Sequence, residues 1–338
     1  AKTYKSSYAL GVAREIYLAI RTAFGKEIIS LDRIAHFFRV FSWRKKFYSY
    51  LLSRIKPQYL LVNCAYSNGN HSIVAAAKEC RITVIEFQHG ILGEHHPGFS
   101  WTEYAHPYKH EMPLPDYIFL YGEHWKQRLL MNKFWHTDEL RVVGSLRMEQ
   151  YRQKRRTPRR EEKCILTLTT QGIVTENLIE FIAEFLNIAE GQLDFELNLK
   201  LHPGEESKAL YEASLGDNPH VHILLNKEEP STFSLLVDSN LHISISSTVH
   251  YEAMALGIPT IILPLVEVFE QILQFQEEGA VYVAKTPQEL LDIVLCYQEI
   301  EITSDIGELL FKRGALENMK KELTMLQPVK SRESFNAT

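Results

Sequence analysis

Short apolar runs alternate along the chain with longer stretches in which apolar residues recur every three or four positions. Ten of the short runs have strand character. Residues 58–66, 82–88, 116–122 and 140–145 lie in the first half. Residues 164–171, 195–203, 221–226, 240–247, 259–265 and 279–284 lie in the second. Helical spacing fills the intervals: 8–25, closed by Gly25; 31–55, as one or two helices rich in aromatic and basic residues; and 70–80, with Asn70 or Ser72 as cap. It returns in EHWKQRLLMNK after residue 122, at 176–190 with a clear apolar stripe, at 248–257 closed by Gly257, and at 286–300. A last helix or pair spans 305–325 and is expected to cross back to the first half. Strand–helix alternation of this kind predicts parallel β/α units with helices on both faces of the sheet.

The pattern stops at 151–163, YRQKRRTPRREEK, which is almost entirely charged, carries a proline and has no apolar period. It reads as an interdomain linker, with contact to an anionic surface as the other use of its basic run. The expected organisation is therefore an N-terminal domain over 1–150, a second over 164–304, and a helix with a disordered tail over 305–338. Both domains are expected to be Rossmann-like, doubly wound α/β units facing a central cleft. Ligands in such sheets bind beyond the carboxyl ends of the strands, so post-strand residues carry the chemical reading.

With 338 residues, 45% of them hydrophobic, the chain can bury a sizeable core. Its net charge of −5 gives no global basic field for nucleic acid. The four cysteines form no CxxC pair; Cys64, Cys80 and Cys296 sit in apolar surroundings and read as buried free thiols of a reducing compartment. The first residues lack the apolar core of a signal peptide, and no run approaches the roughly 18 apolar residues of a membrane span. A cytoplasmic protein is expected. The many Lys, Arg and aromatic residues of the first sixty add an expected peripheral contact with the inner membrane.

Three post-strand spots hold candidate chemistry. The first is His89-Gly90 with Glu94, His95 and His96, an imidazole on a tight turn beside a carboxylate and two more imidazoles. General-base catalysis fits it, and a histidine-rich structural loop is the plain alternative. A zinc site using His89, His95, His96 and His106 ranks well below, because the spacing matches no usual pattern and no cysteine accompanies it. The second is Lys200 and His202, two apart on one strand face and ended by Pro203, a cation and an imidazole suited to an anionic leaving group or merely facing water. The third is Ser246, Ser247 and Thr248 at a strand-to-helix junction, able to hold phosphate or simply to cap the helix, with Glu252 on the same helix face and within reach of a ribose hydroxyl. The loop YSNGNHS over 66–72 is a further post-strand segment. Neither a GxGxxG fingerprint nor a GxxxxGK[ST] loop occurs, so neither dinucleotide nor P-loop chemistry is expected.

EAMALGIPTI after the serine pair resembles the donor-binding half of GT-B glycosyltransferases. Lys200-Leu-His-Pro203 with Ser246-Ser247 resembles the K-x-H-P and S-S motifs of bacterial sialyltransferases and Kdo transferases of that fold. Gln88-His89-Gly90 resembles the His-Gly of CDP-glycerol glycerophosphotransferases. The resemblance implies a GT-B enzyme that moves an acidic sugar from a CMP donor to a cell-surface glycan, inverting and without metal or other cofactor. In it, Lys200, His202, Pro203, Ser246, Ser247, Thr248 and Glu252 would bind the donor. His89 would act as base, with Glu94 as second choice because no acidic-pair-Gly motif is present, and Gly90, His95 and His96 would line the acceptor side. Partners would be a nucleotide sugar and a glycan or lipid-linked glycan. Alternatives within the fold are CDP-glycerol or CDP-ribitol polyol-phosphate transfer and a UDP-sugar transferase or epimerase; a non-catalytic glycan-binding component is the alternative outside catalysis.

Overall fold

A computed structural model describes all residues except 1–3, 93–95, 97, 156–162, 173, 203–206, 226, 267–269, 303–304 and 327–338. The chain divides into two compact units. The first comprises Ala1–Leu120, Trp125–Arg141 and Lys320–Thr338; the second comprises Tyr121–His124 and Val142–Met319.

In the first unit a helical pair, α1 (Tyr4–Phe24) and α2 (Leu31–Ile55), precedes β1 (Tyr59–Asn63), α3 (Asn70–Glu79) and β2 (Thr83–Phe87). A 3-10 segment, Glu103–Glu111, leads to β3 (Tyr117–Leu120), α4 (Glu123–Met131) and β4 (Leu140–Val142). The sheet order is β1-β2-β3-β4, with β1–β2 and β2–β3 parallel. The boundaries of α2 follow from its ends. Ser30 Oγ accepts from the Arg33 N–H at the start, and Lys56 takes a left-handed conformation that returns its N–H to Leu52 O at the close.

The second unit holds α5 (Leu146–Lys154), β5 (Cys164–Thr169), α6 (Thr175–Ala189), β6 (Phe195–Lys200), α7 (Lys208–Leu215), β7 (Val221–Leu224) and α8 (Thr232–Asp238). It continues with β8 (Leu241–Ser244), α9 (Val249–Ala255), β9 (Thr260–Ile262), α10 (Glu270–Leu273), β10 (Val281–Val283), α11 (Pro287–Leu295), α12 (Ile306–Leu310) and the start of α13 (Ala315–Met325), whose residues from Lys320 on belong to the first unit. Six strands pair in the order β10-β9-β8-β5-β6-β7. The chain first steps outward from β5 to β7 and then returns to the other side of β5. The order reverses between β5 and β8, and a crevice at the carboxyl ends of those strands is where a sheet of this kind takes a ligand.

All ten expected strands are present. The apolar stripe of α6 buries Leu178, Ile182, Phe185 and Ala189 on the sheet, at ~1.5–3 kcal/mol for each large side chain removed from water. Three readings change. Helix α5 covers the beginning of the charged stretch expected as linker, because Ser145 Oγ caps it at the Met148 N–H; residues 156–162 lie outside the described residues. The segments 208–215 and 232–238 add two helices. Among the cysteines Cys164 is the buried one and Cys296 is exposed, since it terminates α11 at the surface while Cys164 opens the central strand β5.

Two glycines mark where backbone segments press together in the second unit. A Cβ on Gly122 would lie 2.2 Å from Leu309 O, and one on Gly144 would lie 2.2 Å from Lys312 O. The turns after β3 and β4 are thus packed directly against the α12–α13 backbone, which Lys312 N–H ties to Tyr121 O at 2.8 Å.

Candidate active site

In the first unit the chain leaves β1 through Cys64, at φ 59°, and brings Tyr66 beside the end of β2. Tyr66 Oη lies 3.0 Å from His89 Nε2 and 3.4 Å from His96 Nε2. Phe99 packs edge-on against the Tyr66 ring at 5.6 Å and, tilted, against His96 at 4.9 Å. Gly98 lies flat on the same ring: a Cβ there would sit 2.1 Å from a Tyr66 ring carbon.

The hydrogen bonds determine which nitrogens carry protons. Gly98 N–H donates to His96 Nδ1 at 3.1 Å, so the neutral ring of His96 carries its proton on Nε2 and donates it to Tyr66 Oη. Tyr66 then gives its own proton to His89 Nε2, and the other nitrogen of His89 donates to the Phe87 carbonyl. Burial holds both imidazoles below their ordinary pKa, for His96 with a further push from His89. Burial, reinforced by a hydrogen bond with the Cys64 thiol, raises Tyr66 to about 12. The result is a neutral, solvent-exposed His89 whose Nε2 lone pair accepts the Tyr66 proton.

Beneath this group Glu86 is buried on β2 and accepts the Ala65 N–H at 3.0 Å. Burial outweighs that bond and pushes its carboxyl up to about 7. The φ of Gly90 is not in the left-handed region and a Cβ would meet nothing within 4 Å, so the turn does not demand glycine; Gln88 Nε2 holds its carbonyl at 2.8 Å. Glu94 and His95 lie outside the described residues. His106 pairs with His136, Nε2 to Nε2 at 3.0 Å, and no group of three or more His, Cys, Asp or Glu among the described residues is placed to hold a metal ion.

In the second unit Ser246, Ser247 and Thr248 follow β8, at the reversal of strand order. Ser247 Oγ accepts the Val249 N–H at 3.2 Å, whereas Thr248 makes no side-chain cap and is exposed. Across the switch, Thr170 Oγ1 accepts the His202 N–H at 2.9 Å and sets the direction of the loop after β6; His202 itself is exposed. Pro203 lies outside the described residues. Glu252 on α9 is raised to about 7 by burial, against the opposing pull of Arg147. Burial, and then the Glu252 charge, drive Tyr121 to about 12. Behind the loop His242 bridges Thr169 Oγ1 at 2.9 Å and Thr260 Oγ1 at 2.7 Å, and His250 Nδ1 meets the same Thr260 hydroxyl. Burial forces His242 well below its ordinary range and His250 to about 3, so both stay neutral and act as struts joining β5, β8, β9 and α9.

Lys200 corrects the sequence reading. It is 2% exposed, and Nζ donates to the carbonyls of Leu225 at 2.7 Å, Glu228 at 2.6 Å and Pro230 at 2.9 Å. An ammonium has three protons and all three are taken, so Lys200 clamps the loop after β7 instead of meeting a leaving group. Tyr66, Glu86, Tyr121 and Arg147 are the neighbours that sequence reasoning missed as site residues. Tyr66 opens the post-strand loop already noticed, and Glu86 is the lone acid in the apolar strand TVIEF, a visible signal.

No protein-family model matches the chain, and no curated protein matches it. Solved structures do. A structure described as a putative UDP-N-acetylglucosamine 2-epimerase from Listeria monocytogenes is similar over 95% of each chain, with TM-score 0.60 and 15% identity. A Neisseria meningitidis UDP-GlcNAc 2-epimerase bound to UDP-GlcNAc is similar over 93% of this chain and 90% of its own, with TM-score 0.57 and 16% identity. The lipopolysaccharide outer core galactosyltransferase WaaB is similar over 85% of this chain and 81% of its own, with TM-score 0.50 and 12% identity. The fold is GT-B.

Proposed function

We propose that the protein is an enzyme that binds a UDP-linked sugar at the carboxyl ends of β5 and β8 and transfers the sugar to a hydroxyl of a glycan acceptor, with His89 as general base. The observation that carries the base assignment is the neutral, exposed His89, whose Nε2 accepts the Tyr66 proton at 3.0 Å and can so draw a proton through the Tyr66 hydroxyl. In the transfer the acceptor oxygen attacks the anomeric carbon and the bond from that carbon to the diphosphate breaks. UDP departs with the electron pair, the acceptor proton passes to Tyr66 Oη as Tyr66 gives its own proton to His89 Nε2, and the single displacement inverts the anomeric centre. Ser246, Ser247, Thr248 and His202 would face the departing phosphates, and Glu252 a ribose hydroxyl. Glu94, Gly90, His95 and His96 remain on the acceptor side of this reading. The donor implied by the K-x-H-P resemblance, a CMP-linked acidic sugar, loses support because Lys200 is occupied by three carbonyls. UDP gains support from similar structures named for UDP-GlcNAc.

Epimerisation of a UDP-sugar is a second reading, favoured by the two 2-epimerase structures that cover nine-tenths or more of both chains. One set of measurements separates the possibilities. In a thermal-shift panel of UDP, CMP, CDP, GDP and ADP, a ligand at a hundred times its Kd stabilises by about 2.7 kcal/mol. UDP is expected to give the largest shift, and a preference for CMP or CDP would overturn the donor. UDP-sugar incubated without acceptor is expected to return unchanged; a C2 epimer would establish the second reading. His89→Ala is expected to lose turnover by ~10²-fold or more while keeping the UDP shift, and an active variant would remove His89 as base.

A further inference from the structure

Charge is strongly segregated along the sequence. Residues 1–56 hold twelve Lys and Arg against three Asp and Glu, a net +9 in a chain of net −5. Helix α2 alone carries six basic residues and one acidic one. It buries Ile34, Ala35 and Leu52, and packs on α1 and α3, where Lys45 pairs with Glu79 at 3.1 Å.

The opposite face of α2 is apolar as well as basic. Arg39, Trp43, Lys46, Phe47, Tyr50 and Arg54 recur at helical spacing and share about a third of the circumference. Trp43 is 69% exposed, Tyr50 62% and Phe47 51%. The rings are ordered against one another. Trp43 and Phe47 stack with centroids 6.2 Å apart, and the Arg54 guanidinium lies over Tyr50 at 5.4 Å. Beside this face a groove of about 580 Å³ between α1 and α2 is lined by Ile16, Ile20, Phe37 and Phe41, with Arg33 and Arg44 also contributing to it.

We infer that the exposed face of α2 docks on an anionic lipid bilayer, its rings entering the interface and its cations meeting lipid phosphates. Amphipathic aromatic side chains flanked by Lys and Arg are the chemistry that suits the boundary between headgroups and acyl chains. Charge decides between this occupant and a second copy of the chain. A two-fold dimer through this face would set the basic helix against itself, whereas an anionic surface neutralises it. The groove has the lining for an acyl chain whose phosphate stays at the arginines. The inference does not depend on which nucleotide sugar is bound.

The test is co-sedimentation of the full chain with vesicles of phosphatidylcholine alone and with about 30 mol% phosphatidylglycerol, at low and high salt. Capture is expected on the anionic vesicles only and is lost at high salt. Fluorescence is expected to shift to the blue on capture, a shift that Trp43→Phe removes, since Trp125 and Trp135 are buried and the half-buried Trp101 is held against Phe134 with its N–H on Gly98 O. The surface variants Trp43→Glu/Phe47→Glu and Arg39→Glu/Lys46→Glu are expected to lose capture several-fold while keeping the nucleotide thermal shift. That retained shift separates failure of this inference from failure of the donor reading. Three results would overturn it: no capture by anionic vesicles at low salt, undiminished capture of the charge-reversed variants, or a self-association that Trp43→Glu dissolves.

Discussion

Tyr66 joins the histidines of the first unit. Its hydroxyl accepts from His96 and donates to His89, so each ring is held as one tautomer. Hydrogen bonding to the neutral form of an imidazole favours that form, so the Tyr66 hydroxyl helps to keep His89 unprotonated. In Tyr66→Phe the His89 pKa is expected to rise toward its ordinary value by less than about one unit, the worth of one net hydrogen bond. Proton NMR titration of the ring C–H resonances measures this. An unmoved His89 would show that Tyr66 only packs against it. His89 itself was visible in the sequence, because a histidine just after an apolar strand is a conspicuous pattern. Its partner was not, because Tyr66 and His89 are 23 positions apart and meet only when β1 and β2 pair.

At the scale of elements, Lys200 shows how a motif misleads. Period-two spacing placed it on the face of His202, but β6 has neighbours on both sides, β5 and β7, and Lys200 ends up bonded to the carbonyls of Leu225, Glu228 and Pro230. Lys200→Met would leave three carbonyls without their charged donor. A loss of roughly 2–4 kcal/mol is expected from the broken interactions, seen as a drop of several degrees in melting temperature. The UDP thermal shift is expected to persist. A variant with unchanged melting and abolished nucleotide binding would restore Lys200 to the donor site. Strands were legible throughout because a buried parallel strand is a short apolar run whatever its neighbours. Helices 208–215 and 232–238 were not, since each is short and its apolar residues form too brief a pattern to show a period.

For the whole molecule, buried ionisable groups set the response to pH. Glu86 and Glu252 both rise from the ordinary carboxyl range to about 7. A group whose pKa is higher folded than unfolded stabilises fully below its unfolded value, and that stability is lost as pH rises through the folded value. Between about pH 4.5 and 7 the two carboxyls therefore favour folding less and less. His250, depressed to about 3, acts in the other direction: its contribution is present above its ordinary value and is lost as pH falls below that. Glu86→Gln retains an acceptor for Ala65 N–H and removes the charge. It is expected to be more stable than the parent at pH 8 by ~1–3 kcal/mol, with the gap closed near pH 5. Denaturant unfolding at the two pH values checks this, and an equal difference at both would place the effect in packing.

What the sequence by itself determined is the succession of elements: ten strands, the principal helices, and the post-strand positions where His89, His202 and Ser246–Thr248 lie. Those follow from period and burial, which are local properties. Only the tertiary structure decided the strand order, with its reversal between β5 and β8, and so which post-strand loops adjoin. It also decided that Tyr66 meets His89, that Lys200 serves the loop after β7, and that the aromatic face of α2 stays uncovered. Each of these depends on which distant segment arrives beside a residue, and no periodicity within one segment carries that information.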